Sequence, residues 1–160
     1  MDTITVSAAN VVDGTYTGPD VSAFAGHLEI APYIGIVRFH SALKVSGSII
    51  AGAGSGIKAG HGIEAGHGIE AGWGIEAGLG IKAGSGIEAG WGIKAGWGIE
   101  AGFSIRSRWI SCALRIFAGT VNWRQPTLEE THIYGEIRSG IVAIGMVIAE
   151  ATSEPRQGLL

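Results

Sequence analysis

The stretch GIEAGWGIEAGLGIKAGSGIEAG (residues 68–90) decides the fold, because it repeats one six-residue phrase, Ile-(Glu/Lys)-Ala-Gly-x-Gly. Its isoleucines belong to an unbroken row at Ile57, Ile63, Ile69, Ile75, Ile81, Ile87, Ile93, Ile99 and Ile105. Six is a multiple of the strand period of two. On a helix of 3.6 residues per turn, residues six apart walk around the cylinder and build no common face. Two glycines per unit also weaken a helix by roughly 1 kcal/mol each. The segment therefore reads as β structure, with Ile and Ala on an inward face and the charged residue outward. The glycines flanking each variable residue are expected to supply positive φ at sharp corners. Three or four residues per strand leave no room for hairpins, so successive short sides must wind about an axis.

The charges that follow each isoleucine set the number of sides. They read Lys58, Glu64, Glu70, Glu76, Lys82, Glu88, Lys94, Glu100 and Arg106. At a separation of eighteen residues five of six pairs are opposite in sign, against two of seven at twelve residues and one of five at twenty-four. Three sides and about 18 residues per coil follow, since coils stack at ~4.8 Å and make such residues cross-strand neighbours. The expected fold is all-β: a single-stranded parallel β-helix, or β-solenoid, with β-rich caps at both ends.

The unit resembles the triangular parallel β-helices of the hexapeptide-repeat proteins and of the bactofilin cytoskeletal proteins, over roughly residues 33–119. Those families commonly place a small inward residue two positions before the aliphatic one. Here that place holds Ser55, His61, His67, Trp73, Leu79, Ser85, Trp91, Trp97 and Phe103. The resemblance implies a self-assembling scaffold in one branch and, in the other, an acyltransferase with a histidine near a coil edge.

Working outward, residues 1–32 read as N-terminal strands forming a cap, with Asp13-Gly14 as a hairpin turn. Phe39, Val45 and Ala51 keep the phase of the isoleucine row, which carries the solenoid over 33–119 with perfect repeats at 55–102. The stretch IRSRWISCALRIFAG (105–119) slips phase before Ile110 and Ile116 restore it. Residues 120–132 form a polar loop broken by Pro126, with a helical turn capped by Thr127. Residues 133–151 form a C-terminal β cap, and 152–160 a tail.

Composition narrows the function. The chain carries 28 glycines in 160 residues, 46% hydrophobic residues and a formal net charge of -3. Collagen needs glycine at every third position, which the spacing excludes. Net charge and mixed Lys/Glu columns count against nucleic acid and against an anionic membrane surface. The apolar run at 141–149 is about half the ~20 residues that span a bilayer. A lone cysteine, Cys112, and no signal-peptide pattern point to a reducing, cytoplasmic setting.

No motif announces chemistry, so no catalytic residue, metal, cofactor or small-molecule substrate is expected. His61 and His67 read as tolerated choices at a variable corner, and zinc would need further converging ligands. Glu129, Glu130 and His132 read as a solvated loop. The aromatics are the sharper signal: Trp73, Trp91 and Trp109 are eighteen apart and stack in one column, while Leu79 and Trp97 share a second and Ser85 and Phe103 a third. Core filling, packing under the caps and display to a partner are the open alternatives for them. The candidate partner surface is Trp73, Trp91, Trp97, Phe103, Trp109, Trp123 and Arg124. The functional expectation is a non-enzymatic binding protein, of an inhibitor or immunity type, acting on a protein partner or on copies of itself.

Overall fold

The computed structural model describes residues 1–148. Its strands wind as a stack of short parallel segments, each paired with the segment one coil before and one coil after. The chain is an all-β solenoid of about 6 turns.

Strands fall on three faces. The first face carries β1 (Asp2–Val6), β4 (Gly26–Ile30), β7 (Ile49–Ala51), β10 (Ile69–Ala71) and β13 (Ile87–Ala89). The second carries β3 (Thr15–Tyr16), β5 (Gly35–Phe39), β8 (Ser55–Ala59), β11 (Ile75–Ala77) and β14 (Gly92–Ala95). The third carries β6 (Leu43–Val45), β9 (Ile63–Ala65), β12 (Ile81–Ala83) and β15 (Ile99–Ala101). Two long strands, β16 (Ile105–Ala118) and β17 (His132–Ile144), then each bend around all three faces, and β18 (Met146–Ile148) follows on the first. The hairpin β2 (Val11–Val12) to β3 turns at Asp13 and Gly14, both at positive φ, as the Asp-Gly pair requires.

The register shows the eighteen-residue coil directly: Ile69 pairs with Ile87, Ile75 with Ile93 and Ile81 with Ile99. Inside, the Ile row and the Ala row are buried on every face, and Leu28, Val37, Leu43 and Ile49 extend the row below the perfect repeats. Removing these branched side chains from water supplies the main favourable term, at roughly 25 cal/mol per Å².

Three expectations need correction. Phe39, Val45 and Ala51 pair with Ala59, Ala65 and Ala71, so they continue the alanine row, and Val37, Leu43 and Ile49 continue the isoleucine row. The cause is two extra residues at the corner before β8, where Gly54 takes positive φ and Ser55 donates its N–H to Gly52 O. Second, the parallel stack is not confined to 33–119. β1 and β4 already lie in the first-face column and bury Val6, Leu28 and Ile30, while β17 and β18 continue it beyond 119. Residues 149–151 of the expected C-terminal cap, and the 152–160 tail, lie outside the described residues.

Third, no glycine from Gly56 to Gly102 has positive φ. What these corners require is close approach of backbones. A Cβ on Gly84 would collide with the carbonyl oxygen of Gly66 in the preceding coil, and one on Gly90 with that of Gly72. The second glycine is under less constraint in the middle units, since a Cβ on Gly74 would meet Gly92 O at 3.4 Å and one on Gly80 would meet Gly98 O at 3.5 Å, ordinary contacts, whereas Gly92 and Gly98 are closed off by β16. Ser104 stands at that second position in the last unit, as this asymmetry permits.

Candidate functional site

The corner residues form backbone-bonded columns along the solenoid axis. Trp91 N–H donates to Trp73 O and Trp73 N–H to Ser55 O; Trp97 donates to Leu79 and Leu79 to His61; Phe103 donates to Ser85 and Ser85 to His67. Each variable side chain therefore stands over its equivalent in the next coil, at the strand spacing of ~4.8 Å. A corner tied by two such bonds is a rigid mount.

Trp73 and Trp91 are 45% and 48% exposed, and Trp97 is 55% exposed. The solenoid interior is already filled by Ile and Ala, which leaves no place for an indole within it. Trp73, Trp91 and Trp109 line one open groove of about 410 Å³ on the second face, together with Ile36, Arg38, Lys58, Glu76 and Lys94. Leu79 and Trp97 line a separate, smaller groove of about 280 Å³ on the third face with Lys44, Glu64 and Lys82.

Trp109 reaches the first groove by a different route from the expected column. Its partner is Gly92, and Arg108 takes the place above Trp91, donating its N–H to Trp91 O. The isoleucine spacing contracts there from six residues to five, between Ile105 and Ile110, because β16 has no glycine corner and turns as continuous strand. The Trp109 indole lies against Gly92, where a Cβ would run into the ring. The Arg138 guanidinium sits 4.8 Å from the Trp109 ring centre, and that of Arg108 5.4 Å from Trp91. These contacts add stacked cations to the groove. Sequence reading missed Arg108 and Arg138. Aligning Ile93 with Ile110 instead of with Ser111 would have placed Arg108 there.

Phe103, Trp123 and Arg124 form a different construction. Phe103 and Trp123 meet edge to face at 6.3 Å, and the Arg124 guanidinium lies 4.9 Å from each ring. Arg124 also bonds both carboxylate oxygens of Glu130, each at 2.9 Å. That bidentate pair, with the Thr127 N–H donated to Glu130, holds the Glu130 carboxyl well below its usual range, at about 2. Thr127 Oγ1 in turn accepts from Glu130 N–H, which is the reciprocal cap expected of a Thr-x-x-Glu turn. Arg124 thus clips the 120–132 loop to the end of the coil, while Trp123 remains 71% exposed.

The remaining candidates are scattered. His61 and His67 are exposed on separate corner columns, His67 with its ring 6.3 Å from His27. His27 Nδ1 accepts the Ser48 N–H and so serves the backbone. Glu129 and His132 do not converge with Glu130 in any bond, His132 instead meeting the Tyr134 hydroxyl at 3.0 Å. Cys112 is buried in the alanine row opposite Ala95, and burial pushes its thiol up. No group of three metal-ligating side chains occurs among the described residues, nor any helix long and apolar enough to cross a membrane.

Comparison with protein-family models, with curated proteins and with solved structures finds no match to this chain.

Proposed function

We propose that this chain is a non-enzymatic binding protein that presents the second face of its solenoid to a protein partner. One observation carries the reading: Trp73 and Trp91 stand half-exposed in register on a rigid corner and wall a groove with Trp109, flanked by Arg38, Lys58, Lys94 and Arg108. Indoles and guanidinium groups are the side chains that dominate interface energetics. A strand-mounted corner loses little conformational entropy on docking. An inhibitor or immunity-type role is the form of binding that suits such a preorganised surface.

The test replaces both indoles by serine, which the chain itself uses at the equivalent Ser85. Trp73→Ser/Trp91→Ser is expected to keep the β circular dichroism and melting temperature. Proteins retained by the immobilised wild type from an extract of the native host should bind it more weakly by over ~2 kcal/mol. Full retention by the folded double variant would sink the reading.

A second reading is self-assembly of the bactofilin kind, coil end against coil end. It is favoured by the exposed Ile141, Ile144, Met146 and Val147 at the last described coil. Filaments by negative-stain microscopy would support it, and a discrete small oligomer would reject it. The acyltransferase reading is the weakest of the three, and its check is a thermal shift with acyl-CoA.

A further inference from the structure

The winding sorts charge by face. The outward column of the first face runs Glu29, Ile50, Glu70, Glu88, Arg106. That of the second runs Thr15, Arg38, Lys58, Glu76, Lys94, with Arg108 at the corner. The third face alternates Lys44, Glu64, Lys82, Glu100, and Lys44 reaches Glu64 at 3.7 Å. So the first face is predominantly acidic, the second predominantly basic, and the third neutral within itself. A chain with a net charge of -3 therefore carries opposite charge on adjacent sides.

We infer that the partner of the second face is the first face of another copy of this chain, giving lateral association of solenoids. This rests on the second face being a docking surface, and names its occupant. Three features select a second copy. The acidic column complements the basic one. Both columns have the same coil spacing of ~4.8 Å, so several charges come into register together, which an unrelated surface would match only by accident. The first face also bears an apolar knob, Ile50, 40% exposed between its glutamates, and no indole overhangs it, since His67 and Ser85 stand before β10 and β13 and Phe103 follows in that column only before β16. Ile50 is thus open to the indole-walled groove. The contact is heterologous: each pairing leaves one acidic and one basic face unused, so association continues past the dimer.

Sedimentation velocity of the full chain tests this across concentration at about 50 mM and 500 mM NaCl. The wild type is expected to show mass rising with concentration at low salt and falling at high salt, as screened surface charges require. Glu70→Gln/Glu88→Gln and Lys58→Gln/Lys94→Gln should each weaken self-association more than about tenfold. Their equimolar mixture has one intact acidic face and one intact basic face, so it should stop at a 1:1 complex. All four residues are exposed, so the variants are expected to fold, which circular dichroism checks before the comparison is made.

A wild type that stays monomeric under both conditions overturns the inference. So does a Gln variant that associates as well as the wild type, which would transfer assembly to the coil ends. Heparin binding by a monomeric wild type, lost in Lys58→Gln/Lys94→Gln, would give the second face to an anionic polymer and also overturn it. Glu70→Gln/Glu88→Gln keeps the second face whole. If it still captures the extract partner while the wild type does not self-associate, only this inference falls; if Trp73→Ser/Trp91→Ser loses nothing in either assay, the binding reading falls too.

Discussion

At the scale of single residues, the two glycines of each repeat look identical in sequence and differ in space. Gly84 lies where any Cβ meets the Gly66 carbonyl of the coil below, and neither backbone can retreat without breaking the ladder. Gly80 has ordinary room. Gly84→Ala should therefore cost about 1–3 kcal/mol by overpacking, and Gly80→Ala should lie within about 0.5 kcal/mol of the wild type. Urea unfolding of the two variants checks this, and equal losses would mean that stacking distance does not govern the corners. The isoleucine row was legible because its period is local and unbroken. The role of the glycines was not, because the atom that excludes a side chain lies eighteen residues away in sequence.

At the scale of elements, the second-face column makes the stacking measurable. Lys58, Glu76 and Lys94 pair in one column, and Lys58 Nζ lies 3.9 Å from Glu76. These groups are about half exposed, so the effect is small, roughly 0.2–1 kcal/mol per pair. Glu76→Lys should lower the melting temperature by a few degrees, and adding Lys58→Glu with Lys94→Glu should restore much of the loss. Additive losses in thermal melts would contradict the column. The five-of-six sign rule made this column readable from sequence, whereas Trp109 was misplaced by one residue because the phase slip in β16 follows no repeat.

The loop element carries its own titration. The Glu130 carboxyl is depressed to about 2 from an ordinary value of 4.5, so its contribution is fully present above pH 4.5 and is lost as pH falls toward 2. Acid should therefore release Arg124, and with it the Trp123 ring from Phe103. The indole signal of Trp123 in NMR spectra should shift across this window while those of Trp73 and Trp91 hold. Glu130→Gln should show the released signal at neutral pH; an unchanged Trp123 signal in that variant would show that the clip does not position the ring. Arg124 was read from sequence as a partner contact. Its commitment to Glu130 depends on a turn geometry that composition does not reveal.

At the scale of the whole molecule, a solenoid separates what holds it together from what it displays, because each coil contacts only its neighbours. The repeat unit is equivalent on all three faces inside and different on all three outside. Inserting a second copy of residues 69–86 adds a full coil, leaves Trp91 in the column above Trp73, and keeps each downstream residue on its face. Inserting a second copy of residues 81–86 adds one side only. Every isoleucine still falls in a row, but Trp91, Lys94 and all later residues move to the next face. Both insertions should fold cooperatively with melting temperatures near or above the wild type. Only the eighteen-residue insertion should retain binding through the second face, measured by extract capture and by sedimentation. Unfolding of the six-residue insertion would show that the three sides are not interchangeable in the core. Undiminished binding by it would show that the aligned indoles and cations are not the surface, since no other change leaves each residue in its own corner while taking the columns apart.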